Sequence, residues 1–319
     1  MKVKKVLAVS SAVLIGTTSI INGMPTTAFA QENANLAMES PVENEVNSTV
    51  QNEGQTHYTL PDDGKTKMIY VKTFADNGGN GSVEKPFNNF KDAYNFASEN
   101  DTIVLLNAIT IQNDDNNLDR GVFTFKKQIT ITSNGNGALS SRVPIQLEAD
   151  IKLENIEFAV KDNIYLNGHT LEMSNVKNFK TVSKRPTVYG GTYKNGTNNK
   201  GTKSILKVNG FVSDPFKFNA IYAGSENGQS DIPVTLDLIR GVKVEDGIYA
   251  SGVNSRVNAD VEFKIGNINA SEFENNYDTP NTRIIFNEYY IDNGPILKGF
   301  RDVELHNTRI KVKKQGGVF

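Results

Sequence analysis

The residues able to hold a cation or move a proton are mostly carboxylates in turn-like stretches: Asn113-Asp-Asp-Asn-Asn-Leu-Asp119, Asp237, Glu245-Asp246 and Asp260. Calcium takes roughly six to eight oxygen ligands, several of them carboxylate. The first stretch lacks the central glycine and closing glutamate of a calcium loop, so it reads as a solvated polar turn. Hydrolysis at an acetal carbon needs two carboxylates at a set separation, one with a raised pKa. Asp62-Asp63 and Asp114-Asp115 are adjacent pairs. Neighbours on an extended chain point to opposite faces, so neither pair is a ready dyad. Arg185 and Arg240 have the chemistry of a base, although a solvated role is the plainer reading.

Other chemistries find less. His57, His169 and His306 stand alone, with no paired spacing for zinc. The chain has no cysteine, hence no thiol nucleophile and no disulfide. No Gly-x-Ser-x-Gly elbow presents a serine. Gly78-Gly79 is not followed by the Gly-Lys-Ser/Thr of a phosphate loop. Tryptophan is absent, but 11 tyrosines are present. Tyr189, Tyr193, Tyr222 and Tyr249 fall on or beside expected strands, where they could line a sugar-contacting face. Aromatic residues at such positions also commonly pack into a core or stack along one face.

The elements that must position these groups begin after an export signal. Lys2, Lys4 and Lys5 precede an apolar stretch from Val6 to Ile21, and Ala28-Phe29-Ala30 supplies a small-x-small cleavage pattern. Cleavage is expected after Ala30, leaving no membrane span and placing the mature chain outside the cytoplasm. Residues 31–55 are rich in Glu, Asn and Ser and poor in large apolar side chains, which predicts a disordered linker. Residues 56–319 form the folded part. With 34 Lys+Arg against 36 Asp+Glu the charges nearly balance, which leaves no basic footprint for nucleic acid. The last residues, 311–319, carry no wall-sorting pattern.

Met68-Ile-Tyr-Val-Lys72 reads as a strand leading into the glycine-rich run Asp76–Ser82. Phe90, Ala93, Tyr94 and Ala97 then recur at steps of three and four, the spacing of one helical face, with Pro86 suited to the helix start. Asp101–Leu106 is the next strand. Past it, short β-branched segments follow one another, among them Gln128–Thr132, Ile151–Leu153, Thr170–Met173, Thr187–Tyr189, Ser204–Val208, Val234–Leu238, Val261–Ile265 and Arg283–Phe286. Most alternate apolar with polar residues, and Asn, Gly and Asp punctuate them. A sandwich or a β-solenoid would satisfy this pattern. The brevity of the strands and the recurring Ile-x-Leu and Ile-x-Phe triplets favour the solenoid, with irregular coil lengths. The single helix then covers the open end of the stack, where strand edges would otherwise be bare. The expected fold is all-β: a right-handed parallel β-helix with an N-terminal capping helix and no evident C-terminal cap.

Ile69-Tyr-Val71, Asn77–Ser82, Lys85-Pro-Phe87, Phe90-Lys-Asp-Ala93 and Asp101-Thr-Ile-Val-Leu105 together resemble the start of pectate-lyase-like right-handed parallel β-helix proteins. Asn100 stands where that pattern usually has glycine. From Ile151 to about Gly252 the chain is similar to a β-rich module of Gram-positive secreted and surface proteins. The resemblance implies either a non-catalytic module for adhesion, glycan contact or display, or a polysaccharide lyase or glycosidase. A third possibility is a shortened remnant of a larger surface protein. Lyases of this kind gather carboxylates from adjacent coils around calcium, with a nearby Arg or Lys as base. The residues above give no convincing set, so no catalytic, cofactor or metal role is assigned. The favoured reading is the non-catalytic module, with Tyr189, Tyr193, Tyr222 and Tyr249 as glycan-contact candidates. The expected partner is an extracellular glycan or cell-wall polysaccharide.

Overall fold

Alternating segments bury one side chain in two, and here the buried positions of successive segments lie directly above one another. The computed structural model describes residues 66–75, 78–112, 118–119, 121–180, 184–193, 201–275, 282–287, 290–291, 296–300, 302–306 and 308–310. These belong to one compact unit. The predicted signal segment, cleavage site and linker lie outside the described residues.

The chain winds as a right-handed parallel β-helix with three faces. On the first face Met68–Val71, Thr102–Leu105, Ile129–Ser133, Ile151–Glu154, Thr170–Ser174, Ser204–Asn209, Val234–Val244, Val261–Ala270, Thr282–Asn287 and Asp302–His306 pair in that order, each parallel to the next. The second face begins with Ala108–Ile111, Ala138–Ser141, Glu157–Val160 and Lys177–Asn178. The third includes Val122–Phe125, Ile145–Leu147, Asn163–Tyr165, Thr187–Tyr189, Ile221–Tyr222, Ile248–Tyr249, Glu272–Glu274 and Ile296–Lys298. Coil length is irregular because the return from third face to first varies. It runs from Tyr165 to Thr170 in one coil and from Tyr189 to Ser204 in the next.

Parallel register stacks like on like in the interior. Ile103, Ile131, Leu153, Met173, Val208, Leu238, Ile265 and Phe286 form one inward column, all buried. Ile164, Val188, Ile221, Ile248 and Phe273 form another from the third face. The corner between first and second faces is turned by residues in the left-handed region. Asn155 (φ 53°) and Asn175 (φ 54°) serve in successive coils, and the Asn175 amide donates to Asn155 Oδ1 at 3.2 Å. At the same corner of a later coil stands Gly241 (φ 67°), where an added Cβ would lie 2.3 Å from the Gly210 carbonyl carbon.

The helix spans Phe90–Phe96, and its start differs from the expectation. Asn89, not Pro86, caps it: the Asn89 side chain accepts from Asp92 N and donates to the Asp92 carboxylate, both at 2.8 Å. Pro86 instead leads Phe87 against the first strand. Phe87 N donates to Tyr70 O and Lys72 N to Phe87 O, while Tyr70 N donates to Gly81 O. The glycine-rich loop thus pairs the outer edge of Met68–Val71, which is where an unpaired edge would invite association. Phe90 and Tyr94 cover the core, packing against Phe123 and Phe125. Asn100 takes φ 69°, the conformation that makes glycine or asparagine fit there.

Candidate functional site

On the third face the residue after each inward aliphatic points out of the coil. Tyr165, Tyr189, Tyr222 and Tyr249 occupy that position on successive rungs and are paired in register. Rungs lie about 4.8 Å apart, so flat rings at matching positions must stack. Tyr165–Tyr189 and Tyr189–Tyr222 centroids are 5.2 Å apart at 10°, and Tyr222–Tyr249 are 4.7 Å apart at 14°. Tyr193 stands edge-on to Tyr165 at 5.2 Å and 68°. The structure therefore gathers all the predicted tyrosines at one place and adds Tyr165 to them. A signal for Tyr165 was present in the sequence: an aliphatic–tyrosine pair recurs at Ile164-Tyr165, Val188-Tyr189, Ile221-Tyr222 and Ile248-Tyr249.

The ladder is graded in exposure. Tyr165 and Tyr189 are buried, at 1% and 5%, whereas Tyr222 and Tyr249 are half-buried. Carboxylates line its hydroxyl edge. The Tyr165 hydroxyl donates to Glu226 Oε2 at 2.8 Å and accepts from Asn163 Nδ2 at 3.0 Å. Burial pushes the Tyr165 phenol well above its ordinary value, and the Glu226 charge adds to the rise. Tyr189 and Tyr249 are likewise raised by burial, reinforced by Glu226 for Tyr189 and by Asp246 for Tyr249. All of these phenols are neutral donors at neutral pH.

Beyond Tyr249 the same outward position is taken by Glu274 and then Lys298. Lys298 Nζ contacts Glu272 Oε1 and lies 3.5 Å from Glu274 Oε2. The lysine holds Glu272 below the usual carboxylate range, while burial and the Glu272 side chain push Glu274 upward. Two carboxylates whose pKa values are driven apart thus close one end of the ladder.

Inside the stack each ring covers the face of the next. What remains for a ligand is a strip of phenol edges and hydroxyls with interspersed carboxylates, exposed most at Tyr222 and Tyr249. Such a strip donates and accepts hydrogen bonds at repeated intervals, the chemistry that a hydroxyl-rich polymer presents in return.

The remaining candidates are dispersed. Asp237 lies on the first face between Lys207 and Lys264, and Arg240 on the same face donates to Asn209 Oδ1 at 2.9 Å. Arg185 precedes a strand of the third face, and Asp246 sits at the turn leading onto that face. The structure does not bring Arg240 and Arg185 to one face. His169 Nδ1 lies 3.7 Å from Asp150 Oδ1, and burial holds its pKa below the ordinary value. His306 is exposed beside Glu304. His57, Asp62-Asp63 and Asn113–Asn117 lie outside the described residues, as does the side chain of Asp119. Among the described residues no group of three or more His, Asp or Glu is placed to hold a metal ion. No family model, no curated protein and no solved structure matches the chain.

Proposed function

We propose that the protein is an exported, non-catalytic β-helix module that contacts extracellular glycan at a bacterial surface through its tyrosine ladder. It would then act in the manner of the pectate-lyase-like modules of Gram-positive surface proteins that its sequence resembles. The ladder carries the reading: four phenols stack in register, and its half-buried members Tyr222 and Tyr249 present ring edges and hydroxyls suited to a chain of sugar hydroxyls. The export signal read from residues 1–30 supports the extracellular setting.

The test is retention on insoluble cell-wall polysaccharide and on a panel of polyuronates and mucin glycans, by co-sedimentation. Tyr222→Phe with Tyr249→Phe keeps the stack and deletes two half-buried hydroxyls. Retention should fall about tenfold or more if those hydroxyls bond the glycan, at about 0.5–1.5 kcal/mol each. Unchanged retention in the double variant would remove the ladder as the contact. A second reading, cleavage of a glycosidic bond, needs two carboxylates held apart around the scissile bond, whereas Glu272 and Glu274 share one lysine. Release of fragments above the no-protein control would establish cleavage in place of simple binding.

A further inference from the structure

A concave feature lies on a different face from the ladder, over the first coils of the solenoid. Near the helix, the outer side of the first face forms the floor of a groove of about 1130 Å³. That exceeds the roughly 300–1,000 Å³ of small-molecule sites, so its size suits a short oligomer more than a single small ring. Register builds the floor: Met68, Thr102, Thr130 and Lys152 form one outward column, and Tyr70, Val104, Thr132 and Glu154 the next. One wall is the loop at Asn80–Glu84, and the other is the helix exit with Phe96, Ser98 and Glu99.

The charges of the groove are largely committed. Both Asp101 oxygens accept backbone N–H groups, from Lys67 and Ser98 at 2.8 Å each. Glu99 accepts from Gln128 N at 2.7 Å, and Lys152 pairs with Glu154 at 3.1 Å. Lys67 and Glu84 remain, one of each sign. The threonine hydroxyls are free: those of Thr102, Thr130 and Thr132 make no hydrogen bond within the described residues, although Thr132 is only 9% exposed. A hydroxyl so placed on the floor of an open groove is satisfied by whatever fills the groove. Phe96 is 51% exposed at the rim, with Lys67 Nζ 5.8 Å from its ring centre. Phe96 also packs tilted against Phe87, with ring centres 5.3 Å apart. A half-exposed apolar ring at the rim of a groove floored by unpaired hydroxyls is complementary to a sugar, which shows C–H bonds on one side and hydroxyls at its edge.

We propose that this groove binds an uncharged oligosaccharide, with Thr102, Thr130 and Thr132 bonding its hydroxyls and Phe96 stacking on one ring. The site is distinct from the tyrosine ladder and rests on the reading of the protein as a glycan-contacting module. Having no unpaired cluster of positive charge, it takes a neutral chain in preference to a polyuronate.

The chain contains no tryptophan, so Phe96→Trp and, separately, Tyr249→Trp install single fluorescent reporters in the groove and on the ladder. Each is titrated with cellohexaose, chitohexaose, mannohexaose and hexagalacturonate. The expected result is a saturable emission change in Phe96→Trp with at least one neutral hexamer and weaker binding of hexagalacturonate. Adding Thr130→Val and Thr132→Val, which keep shape and remove hydroxyls, should weaken that binding by about tenfold or more. Shifts of the Thr130 and Thr132 methyl resonances in the unsubstituted protein report the same event without a reporter. A response from Tyr249→Trp alone would overturn the groove and leave the glycan reading standing. Silence from both reporters and from the methyl resonances, with no retention on polysaccharide, would overturn both. Tighter binding of hexagalacturonate, or indifference to the threonine substitutions, would overturn the assigned ligand class.

Discussion

Raising the pH should unfold this protein through its buried phenols, and the slope can be worked from the ladder. Tyr165 and Tyr189 are 1% and 5% exposed, and burial raises both above their ordinary value. In the unfolded chain they ionise near pH 10. Above that pH the folded state keeps protons that the unfolded state has released, so stability must fall as pH rises. Each such phenol removes about 1.4 kcal/mol per pH unit, and the two together about 3 kcal/mol per unit. At about pH 12 the loss is about 5–6 kcal/mol, comparable with the whole stability of many domains. The half-exposed Tyr222 and Tyr249 add a smaller, solvent-screened share. The assay is the denaturant midpoint as a function of pH, with the tyrosinate absorbance followed in parallel. With no tryptophan in the chain, that absorbance belongs to tyrosine alone. Below pH 10 the midpoint should be flat with respect to these groups. Above it, the midpoint should fall steeply, and part of the tyrosinate signal should appear only with unfolding. Tyr189→Phe keeps the ring stack and should make the slope shallower by about 1.4 kcal/mol per unit. If the slope were the same in that variant, or if all tyrosines ionised near pH 10 with the fold intact, the assignment of the ladder as buried and neutral would be wrong.

Two further perturbations probe the cap and the corners. Lys127 Nζ donates to the carbonyls of Tyr94, Asn95 and Ala97 at 3.0, 3.0 and 2.6 Å, closing the C-terminal end of the capping helix. Lys127→Met should cost about 1–3 kcal/mol in thermal or denaturant unfolding and open the 78–100 region to protease before the coils melt. At the first corner, Asn175→Ala should cost about 1–2 kcal/mol because alanine resists φ 54°, whereas Asn175→Gly should be nearly neutral; equal losses from both would assign the effect to the bond with Asn155 instead.

Inward alternation made the first face legible, since Ile-x-Leu and Leu-x-Met write their burial directly into the sequence. The third face was harder to read. Ile221–Tyr222 and Ile248–Tyr249 are too short to show any period, and only stacking on neighbouring coils makes them strands. Val234–Val244 reads as ending at Leu238 because Ile239-Arg240-Gly241 resembles a break. Gly241 turns the corner in the left-handed region without leaving the sheet, so that Val242–Val244 pair with Phe216–Phe218. The helix was visible from Phe90, Ala93 and Tyr94, but its start was not. Pro86 looked like a first-turn residue because its missing N–H would go unused there. In the fold, its carbonyl and Phe87 back onto Gly79 and Gly81, and the cap falls to Asn89. The same contacts explain the glycine-rich loop, where a Cβ on Gly79 would lie 2.1 Å from Pro86 O.

The site was only partly legible for a related reason. On a solenoid the unit of surface chemistry is the column, and the members of a column are a full coil apart in sequence. Lys152, Glu172, Lys207, Asp237 and Lys264 stand in register on the first face, alternating in sign at every step. Read along the chain they are isolated charges; read across the rungs Lys207 lies between Glu172 and Asp237, with Lys207 Nζ 3.6 Å from Glu172 Oε2, and Lys152 and Lys264 each adjoin one acid. Facing pairs of opposite charge favour this register, and a slip of one residue would turn the charges inward and the aliphatic columns out. The same stacking that makes tyrosines into a ladder and threonines into a groove floor therefore also fixes which coil sits on which. A search for catalytic spacing along the sequence finds little here because the fold assembles its chemistry perpendicular to the chain. The two features proposed to meet a ligand, phenols on one face and hydroxyls on another, are both rows of like residues of that kind.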